Sequence, residues 1–559
     1  MDVRTRGIPP SADERAAVAS VLGPEPAPND HDRIGGHANR ARRHLLLPAL
    51  HAVNDRVGWI SPTAVDHIAV RLDLGPAEVY GVASFYALFS MTERPPHQVH
   101  VCVDLACRAA GRTEADLGPG EHPSPCLGVC ERGGAVLTID AGDPVRRTVT
   151  PEPAPAAAVP DAGDPSLVLL RRVGATDPAS LADYVADGGF EALAVARRIG
   201  AEAVISRVAA AGLTGRGGAA FPTATKWEAV RGQPGPVHHL VANADESEPG
   251  TFKDRTLIEN DPYALIEAMA IAGLAVGADH GHVYLRGEYP RAEATLHHAI
   301  TEARAGGHLG PGTGFDITMV RGAGAYICGE ETAVFNSIEG YRGEPRNKPP
   351  FPFERGLFGR PTAVNNVETL INVPPILLDR LPTADRRLFC LSGAVNRPGV
   401  YESELGVTLG QLIARAGGLR PGSELQAVLL GGAAGGFAGP GDLDLALDPD
   451  ALRAAGLTLG SGVVLVLDQH VDLVDQLRRI AAFFADESCG QCVPCRVGTV
   501  RQLEAVDRLA GGVTPGGRAG DLGLVRDVGR AMADASICGL GQTAHSAIGS
   551  AIDRLGVWS

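Results

Sequence analysis

The sequence predicts a protein of several α/β domains with a metal centre in each terminal third. Its 559 residues are enough for roughly three to four domains of about 150 residues each. Eight of the ten cysteines fall in two tight sets, one at 102–130 and one at 489–538. Between these sets lie a glycine-rich loop after a helical segment and a strand that ends in acids and amides, where a ligand can bind. We therefore expect two cysteine-bearing terminal domains on either side of a ligand-binding α/β centre.

The composition excludes several classes of function. A net charge of −15 leaves no basic excess to neutralise phosphates, which argues against a nucleic-acid partner. The longest apolar run, Ala268 to Ala278, is too short to span a bilayer, so we expect no direct membrane insertion. The polar N-terminus lacks the apolar core of a signal peptide, and clustered cysteines then favour metal ligation over disulfides. We expect a cytoplasmic protein.

The first third predicts a mobile start and then a small domain. Residues 1–35 mix Pro, Gly, Asp and Arg without periodicity, which predicts a mobile N-terminus. Helical patterning follows, and Ser61 with Pro62 forms an N-cap and first-turn pair. A strand of alternating valines and the closing strand ERGGAVLTID complete the pattern. We therefore place the first domain at 36–150.

Four cysteines of this first domain are spaced as two pairs. Four residues separate Cys102 from Cys107, and three separate Cys126 from Cys130. Each pair lies where a strand passes into a loop, so the four thiolates can supply two ligands to each iron of a [2Fe–2S] cluster. A zinc ion, or a site without metal, is the alternative that this spacing leaves open.

The middle of the chain, at 167–380, follows a linker rich in Pro and Ala at 151–166. Its motif TGRGGAAFPTATKW at 214–227 comes after a helix and runs into Phe-Pro, which disfavours a Rossmann fingerprint. The glycines still let backbone amides approach a phosphate, with Arg216 and Lys226 as counter-charges. On its own, this segment is equally compatible with an ordinary loop.

Four further segments of this domain place acidic, amide and aromatic side chains between glycine, alanine and proline residues. VANADESEPGTFKDR ends a strand in acids and amides, and polar groups at the carboxyl end of a strand are placed to bind a ligand. GAGAYICGEETAVFNSIEG joins a glycine-rich turn to a tyrosine and two glutamates, and EPRNKPPFP and PTAVNNVETL follow. The candidate positions are Asn243, Asp245, Glu246, Glu248, Tyr326, Glu330, Glu331, Lys348, Phe351, Asn365, Asn366 and Thr369.

The last third predicts a spacer domain and a helical domain. A hairpin, one helix and further strands over 381–470 suggest a β-grasp domain. No titratable cluster marks it, so we expect it to act as a spacer. A helical domain at 471–559 follows.

The loop ESCGQCVPCRVG of this helical domain places Cys489, Cys492 and Cys495 at every third position. This spacing is typical of three ligands of a [4Fe–4S] cluster, and Cys538 is the only cysteine downstream that can supply the fourth. The alternatives are a structural zinc site and a set of unliganded buried thiols. Structural zinc sites usually pair their ligands two and two, so the 3 + 1 division disfavours zinc.

Residues 212–370 resemble the FMN- and NADH-binding subunit, of the 51 kDa type, that respiratory complex I, NAD-reducing hydrogenases and NAD-dependent formate dehydrogenases share. The five motifs quoted for this stretch carry the resemblance. In the first third, AEVYGVASFY, VC and CLGVC resemble the 24 kDa-type thioredoxin-like [2Fe–2S] subunit of NADH dehydrogenases. The β-grasp segment is similar to the ubiquitin-like SLBB domain of the same family.

The resemblance implies FMN as the bound cofactor and NAD(H) as the substrate. FMN would lie against the glycine loop, and Phe221 and Phe351 would surround the adenine of NADH. Lys348 would steer the dinucleotide, and Glu248 and Glu331 are the catalytic candidates. The implied cofactor-binding residues are Gly215, Arg216, Gly217, Gly218, Phe221, Lys226, Asn243, Asp245, Glu246, Glu248, Tyr326, Gly329, Glu330, Glu331, Lys348, Phe351, Asn365, Asn366 and Thr369.

These inferences predict the electron-input subunit of a larger NAD-linked redox complex. NADH would give a hydride to FMN, and single electrons would pass to the [4Fe–4S] cluster and to partner subunits that carry further iron–sulfur clusters. The [2Fe–2S] centre would be a relay or a side reservoir. The rival, from a different class, is a scaffold with lost or zinc-filled cysteine sites that only docks partner subunits.

The chain also departs from the family at two places. Only the 18 residues from Arg108 to Pro125 separate the N-terminal cysteine pairs, fewer than the family usually has. We therefore expect the [2Fe–2S] site to be less covered and more labile in air. Ala220 and Ser247 stand where many relatives have glycine, and Ala229 stands where some have an aromatic residue. We expect small differences in loop position and weaker adenine stacking.

Overall fold

The computed structural model describes residues 5–25, 38–151, 158–512 and 516–558. In these ranges, the strands form three separate sheets, and helices alone build the C-terminal part. None of the described helices is both long enough and apolar enough to cross a bilayer.

Helices and a four-stranded sheet build the N-terminal domain. The helices are α1 (Ala12–Leu22), α2 (Leu46–Val57), α3 (Pro62–Leu72), α4 (Pro76–Ala83) and α5 (Leu105–Ala109), and the strands are β1 (His97–Cys102), β2 (Glu121–Ser124), β3 (Val136–Asp140) and β4 (Arg146–Thr150). The sheet order is β2-β1-β3-β4, with β1 parallel to β2 and antiparallel to β3. Ser61 caps α3 by accepting the N–H of Ala64, and Pro62 opens the helix, as the sequence predicts.

The N-terminal segment, expected to be mobile and without periodicity, contains the helix α1. Ser11 and Glu14 form a reciprocal capping box, and Ala17, Val18 and Leu22 are buried against the rest of the domain. The Ser-x-x-Glu signal was present in the sequence, but the apolar stripe is too short to show periodicity. Residues 1–4 and 26–35 of the same segment lie outside the described residues.

The end of the expected linker is buried where it is described. Residues 152–157 lie outside the described residues, but Ala158 and Val159 are buried. Asp161 then pairs with Arg415 of the β-grasp domain at 2.7 Å. The last residues of the expected linker therefore pack onto a neighbouring domain.

The central domain is a parallel sheet surrounded by helices. The strands β5 (His239–Ala244), β6 (His280–Leu285), β7 (Asp316–Arg321) and β8 (Thr362–Asn366) pair in the order β7-β6-β5-β8, and every pairing is parallel. The helices are α6 (Leu181–Ala186), α7 (Glu191–Ile199), α8 (Ala201–Ala210), α9 (Thr223–Arg231), α10 (Lys253–Asn260), α11 (Pro262–Val276), α12 (Pro290–Ala305), α13 (Glu331–Ile338), α14 (Pro352–Arg355), α15 (Val367–Ile371) and α16 (Val373–Leu377). Every residue of α11 except Leu274 is buried, which accounts for the long apolar run.

The third domain has the mixed sheet of a β-grasp fold. Its strands are β9 (Arg386–Gly393), β10 (Gly399–Glu404), β11 (Leu425–Leu430), β12 (Gly436–Ala438) and β13 (Val463–Asp468), and its helices are α17 (Leu409–Arg415) and α18 (Pro449–Ala454). The order is β10-β9-β13-β11-β12, with β9 and β13 parallel and the other pairs antiparallel. The hairpin and helix that the sequence predicts are therefore both present.

Five helices form the C-terminal domain within the described ranges. They are α19 (Leu473–Glu487), α20 (Val493–Gly511), α21 (Arg518–Ala535), α22 (Gly539–Thr543) and α23 (Ser546–Leu555). Arg108 of the N-terminal domain pairs with Asp475 at 2.8 Å, and Arg479 pairs with Asp104 at 3.3 Å. The two terminal thirds of the chain are therefore in direct contact.

A buried carboxylate fastens the β-grasp domain to the start of the central domain. Glu402 accepts the backbone N–H groups of Val168, Leu169 and Leu170 at 2.9–3.1 Å. Its side chain is fully buried. Without it, three backbone donors would be left buried and unpaired.

We expect Glu402→Ala to lower the free energy of unfolding by about 1–3 kcal/mol, because the three N–H groups lose their acceptor. Urea denaturation followed by circular dichroism measures this change. The matched control is Glu404→Ala on the same strand, whose side chain is 71% exposed. Equal stability of the two variants would contradict this role of Glu402.

Candidate functional site

The glycine loop lies against the carboxyl edge of the central sheet. Gly215 donates its N–H to the carbonyl of Phe221 at 2.9 Å, which closes the loop. A Cβ atom on Gly217 would come within 3.3 Å of Cβ of Asn366, the last residue of β8. Ala220 has φ of 50°, a conformation that costs a non-glycine residue roughly 1–2 kcal/mol. The loop therefore keeps a backbone typical of glycine at Ala220.

Two lysines and two glutamates converge beside this loop. Lys226 donates to the carbonyl of Val364 at 2.9 Å and lies 3.5 Å from Glu331. Lys348 contacts Glu331 at 2.7 Å and Glu330 at 3.1 Å. Burial opposes ionisation of Glu331, but the lysine charges outweigh it and lower its pKa. The cluster thus offers two cations next to backbone amides, a set that suits phosphate groups.

Two aromatic side chains near the lysines and glutamates are exposed to solvent. Phe221 is 51% exposed and Phe351 is 45% exposed, although large apolar side chains are usually covered. Lys226 Nζ lies 6.0 Å from the centre of the Phe221 ring. Phe351 stacks on Phe353 with ring centroids 5.7 Å apart. Exposed aromatic faces next to paired lysines are suited to stacking on a base.

A hydrogen-bonded chain connects the acidic loop to the cysteine loop. Tyr326 donates its hydroxyl to Glu248 at 2.5 Å, and its backbone N–H donates to Glu487 at 2.8 Å. Glu248 also accepts the N–H of Ala434 from the β-grasp domain. Desolvation raises the pKa of Glu248 to about 7, against the effect of these hydrogen bonds. Desolvation likewise raises the pKa of Glu487, two residues before Cys489, to about 7.

Several predicted positions hold the loops in place. Asn243 donates to the carbonyl of Gly329 at 2.8 Å and accepts the N–H of Asp245. Asn366 caps α15 and donates to Asp254. Thr369 accepts the backbone N–H of Arg216 at 2.8 Å.

Three predicted ligands have side chains that are already committed to the protein. The guanidinium of Arg216 is buried and donates to the carbonyls of Ala384 and Arg386. The prediction that this guanidinium balances the charge of a phosphate at the glycine loop is therefore wrong. Glu246 points into the protein and accepts the N–H groups of Asp254 and Arg255. Asn365 accepts the indole N–H of Trp227. A motif shows the residue type, but side-chain direction depends on tertiary packing.

The C-terminal cysteines meet where two helices begin. Cys492 is the N-cap of α20, Cys495 lies in its first turn, and Cys538 is the N-cap of α22. A Cβ on Gly541 would come within 2.9 Å of Cys495 Cβ, so the start of α22 packs directly on the cysteine loop. Burial raises the pKa of Cys495 to about 11 and of Cys538 to about 12. These thiols therefore favour a bound proton or a metal over a free thiolate.

The N-terminal cysteines are more deeply buried than expected. Cys102, Cys107, Cys126 and Cys130 are at most 6% exposed, and the sulfurs of the last two lie 3.3 Å apart. A Cβ on Gly128 would lie 2.2 Å from the Tyr289 hydroxyl, so the central domain covers this loop. The expectation of a less covered site is therefore wrong in the intact chain, because another domain supplies the cover.

Both cysteine sets have the donors that a cluster requires. Within the described ranges, no three His, Cys, Asp or Glu side chains surround a position for a single metal ion. A cluster has a wider ligand set, because two or four irons and their sulfides lie between the cysteine sulfurs. All eight cysteines are free of disulfides.

The structure also brings in residues that the motifs did not indicate. Glu487 and Ala434 belong to other domains, so their approach to Glu248 and Tyr326 had no local signal. Arg286 and Tyr289 follow β6 and contact the acidic loop. Their position directly after an apolar strand, in LRGEYP, was the available signal.

Protein-family models match four parts of the chain. A Nuo51 FMN-binding domain covers 208–375, and an SLBB domain covers 388–438. The iron–sulfur binding region of NADH-ubiquinone oxidoreductase-F covers 475–555. A thioredoxin-like [2Fe–2S] ferredoxin covers 32–118, which includes Cys102 and Cys107 but ends before Cys126.

One relative, the second F-type subunit of NADH-quinone oxidoreductase from Rhizobium meliloti (strain 1021), is 42% identical over 403 residues, 69% of this chain and 94% of that protein. The chain belongs to the family of NADH-quinone oxidoreductase F-type subunits. Another relative, the NADP-reducing hydrogenase subunit HndC of Solidesulfovibrio fructosivorans, is 40% identical over 401 residues, 69% of this chain and 81% of that protein. The predicted fold class is confirmed, as are FMN, [4Fe–4S] and [2Fe–2S] as the cofactors.

A solved structure resembles this member of the family over a longer stretch. A chain of an NAD+-reducing [NiFe]-hydrogenase in the H2-reduced state superimposes with a TM-score of 0.76 and 30% identity. The match covers 92% of each chain. The predicted role as an NADH-linked flavin and iron–sulfur subunit of a larger complex is confirmed at the level of the family.

We expect Glu248→Gln to raise the flavin reduction potential, because a carboxylate disfavours negatively charged flavin. Since the pKa of Glu248 is about 7, the carboxyl is mostly neutral below that pH and mostly charged above it. The difference between wild type and variant should therefore be larger at about pH 8 than at about pH 6. Spectroscopic redox titration at both pH values measures it.

The control is Glu228→Gln, an exposed carboxylate on α9 close to Lys226 in sequence. This variant should keep the wild-type potential at both pH values. A Glu248→Gln potential that does not differ from wild type would refute the placement of Glu248 beside the flavin.

Proposed function

We propose that this chain is the NAD(H)-linked electron-input subunit of a cytoplasmic redox complex, with its active site between the glycine loop and the acidic loop. The observation that carries this proposal is the pair of hydrogen bonds from Tyr326 to Glu248 and Glu487. One tyrosine thereby touches both the acidic loop and the residue that leads into the [4Fe–4S] loop. Bound FMN supplies the exchange between two-electron hydride chemistry and one-electron transfer.

The protein's own groups hold and orient the two nucleotides. The glycine-loop amides and Lys226 would bind the flavin phosphate, since they form the cationic part of the site. Lys348 and Glu331 would orient the dinucleotide, and Phe221 and Phe351 would stack on its adenine. Glu248 would face the reacting rings, where its charge acts on both.

The eight clustered cysteines would hold the two iron–sulfur centres. Cys489, Cys492, Cys495 and Cys538 would ligate the [4Fe–4S] cluster. Cys102, Cys107, Cys126 and Cys130 would ligate the [2Fe–2S] cluster, with two cysteines for each iron. The absorbance spectrum of the anaerobically purified chain tests the proposal against the scaffold alternative. A colourless protein without flavin and iron–sulfur bands would overturn it.

We expect Cys492→Ser to abolish the electron paramagnetic resonance signal of the [4Fe–4S] cluster, because a ligand is lost. Flavin content should stay unchanged, and NADH should still bleach the flavin. Reduction of an acceptor through the partner subunit should collapse. The control Cys390→Ser replaces a buried cysteine of β9 and should leave the signal intact. If Cys492→Ser reduced the acceptor through the partner at the wild-type rate, the assignment of Cys492 as a [4Fe–4S] ligand would be wrong.

An exposed apolar stripe lies next to the [4Fe–4S] loop. Val493, Val497 and Val500 recur at helical spacing on α20 and are 45–59% exposed. Ile537, adjacent to Cys538, is 37% exposed. Contiguous exposed apolar side chains usually mark an interface. A partner that carries the next iron–sulfur cluster would dock here, since electrons cross only short distances.

We expect Val497→Asp to abolish copurification of the partner subunit with the tagged chain, because the new charge would be buried in the interface. Flavin and iron contents should remain at wild-type levels. Mass spectrometry of the copurified proteins names the partner and measures its loss. Val185→Asp is the control, since Val185 is equally exposed (45%) but lies on α6 of the central domain. Partner recovery equal to wild type in Val497→Asp would place the interface elsewhere.

We propose that the complex is organised like that of the hydrogenase whose solved chain resembles this one. That similarity spans 92% of this chain, whereas the match to the Rhizobium meliloti relative spans 69%. We therefore propose a partner assembly of the NAD-reducing type, in which electrons flow toward or from NAD+ according to the partner's potential.

A further inference from the structure

Arg286 joins the N-terminal cysteine loop to the acidic loop of the central domain. It is the first residue after β6, and only 3% of it is exposed. One terminal nitrogen donates to the carbonyl of Cys126 at 2.7 Å, and the other donates to the carbonyl of Glu246 at 2.6 Å. A single side chain thus holds two loops that belong to different cofactor sites.

Arg286 forms an ion pair with one close acid. Glu288 contacts the guanidinium at 3.0 and 3.3 Å and is itself buried. The Tyr289 ring lies 4.9 Å from the guanidinium carbon. Asp245 and Glu487 are more distant acids, and the charge of Arg286 acts to lower the pKa of each. Because the guanidinium donates to the backbone carbonyl of Cys126, its positive charge lies next to the group that this cysteine would bind.

We propose that Arg286 is a positioning residue that sets the reduction potential of the [2Fe–2S] cluster. Reduction adds negative charge to a cluster, and a buried cation beside a ligand stabilises that charge and raises the potential. The two carbonyl contacts also fix the Cys126 loop against the acidic loop, so the charge is held at a constant position. This proposal rests on the cysteine assignment made under the proposed function.

Arginine is needed here for geometry as well as charge. Its planar fork presents separate donors to the carbonyls of Cys126 and Glu246, which a lysine ammonium cannot reach in the same way. Without the cation, Glu288 would remain as a buried charge next to the cysteine loop, which would disfavour reduction further.

The test is a redox titration of the full-length, anaerobically purified chain, followed by electron paramagnetic resonance. In Arg286→Gln, the ratio of reduced to oxidised [2Fe–2S] cluster at a fixed potential should fall about tenfold, equivalent to about 59 mV for one electron. Arg286→Lys, which keeps the charge, should show a smaller fall. The [4Fe–4S] signal of the same samples is the internal reference and should not move.

Glu288→Gln supplies a change of opposite sign that does not remove the carbonyl contacts. Loss of this carboxylate should raise the [2Fe–2S] potential, so the proposal stays testable even if Arg286→Gln fails to fold. The control Arg172→Gln removes another buried arginine, which pairs with Asp187 and Asp261, and should leave the potential unchanged.

An unshifted potential in Glu288→Gln would overturn the role of Arg286, and so would equal shifts in Arg286→Lys and Arg286→Gln. Iron and sulfide analysis of the wild-type chain separates this failure from a failure of the cysteine assignment. A wild-type chain without [2Fe–2S] iron would overturn both, whereas a normal cluster with an unmoved potential would overturn only the role of Arg286.

Discussion

Strands β5 and β8 lie side by side and in parallel, so Asn243 and Asn366 leave the sheet at the same edge. Parallel connections force the loops that follow these strands to meet there. The glycine loop rests against Asn366, and the acidic loop begins at Asn243. The positions of the glycine loop, the lysine cluster and Tyr326 all follow from this shared edge. The other domains are arranged around it.

The acidic loop shows how burial divides three neighbouring acids between different tasks. Glu246 accepts two backbone N–H groups of α10 and so stabilises the fold. Glu248 meets Tyr326 and Ala434, and desolvation brings its pKa to about 7. Asp245 stays beside Gly329, in the wall of the site. Acidic residues one or two positions apart therefore have different hydrogen-bond partners, because each points in a different direction.

The central domain covers the cysteine loop of the N-terminal domain. The segment between the cysteine pairs is short, yet Tyr289 packs on Gly128 and Arg286 holds Cys126. A buried ion pair between Arg255 and Glu131 lies at the same contact. The short segment between the cysteine pairs leaves room for the central domain, and residues of that domain bury the cysteine loop. The burial of these cysteines thus depends on the contact between the two domains.

Cysteine spacing in the sequence predicted the iron–sulfur centres, whereas FMN, NAD(H) and the thioredoxin-like domain were predicted from the family resemblance. The spacing of Cys489, Cys492 and Cys495 predicted a cubane, and a hairpin with one helix and further strands predicted the β-grasp fold. Side-chain direction and contacts between domains depend instead on packing over long sequence distances. For that reason, only the folded chain shows that Arg216 turns away from the glycine loop and that Glu487 reaches Tyr326.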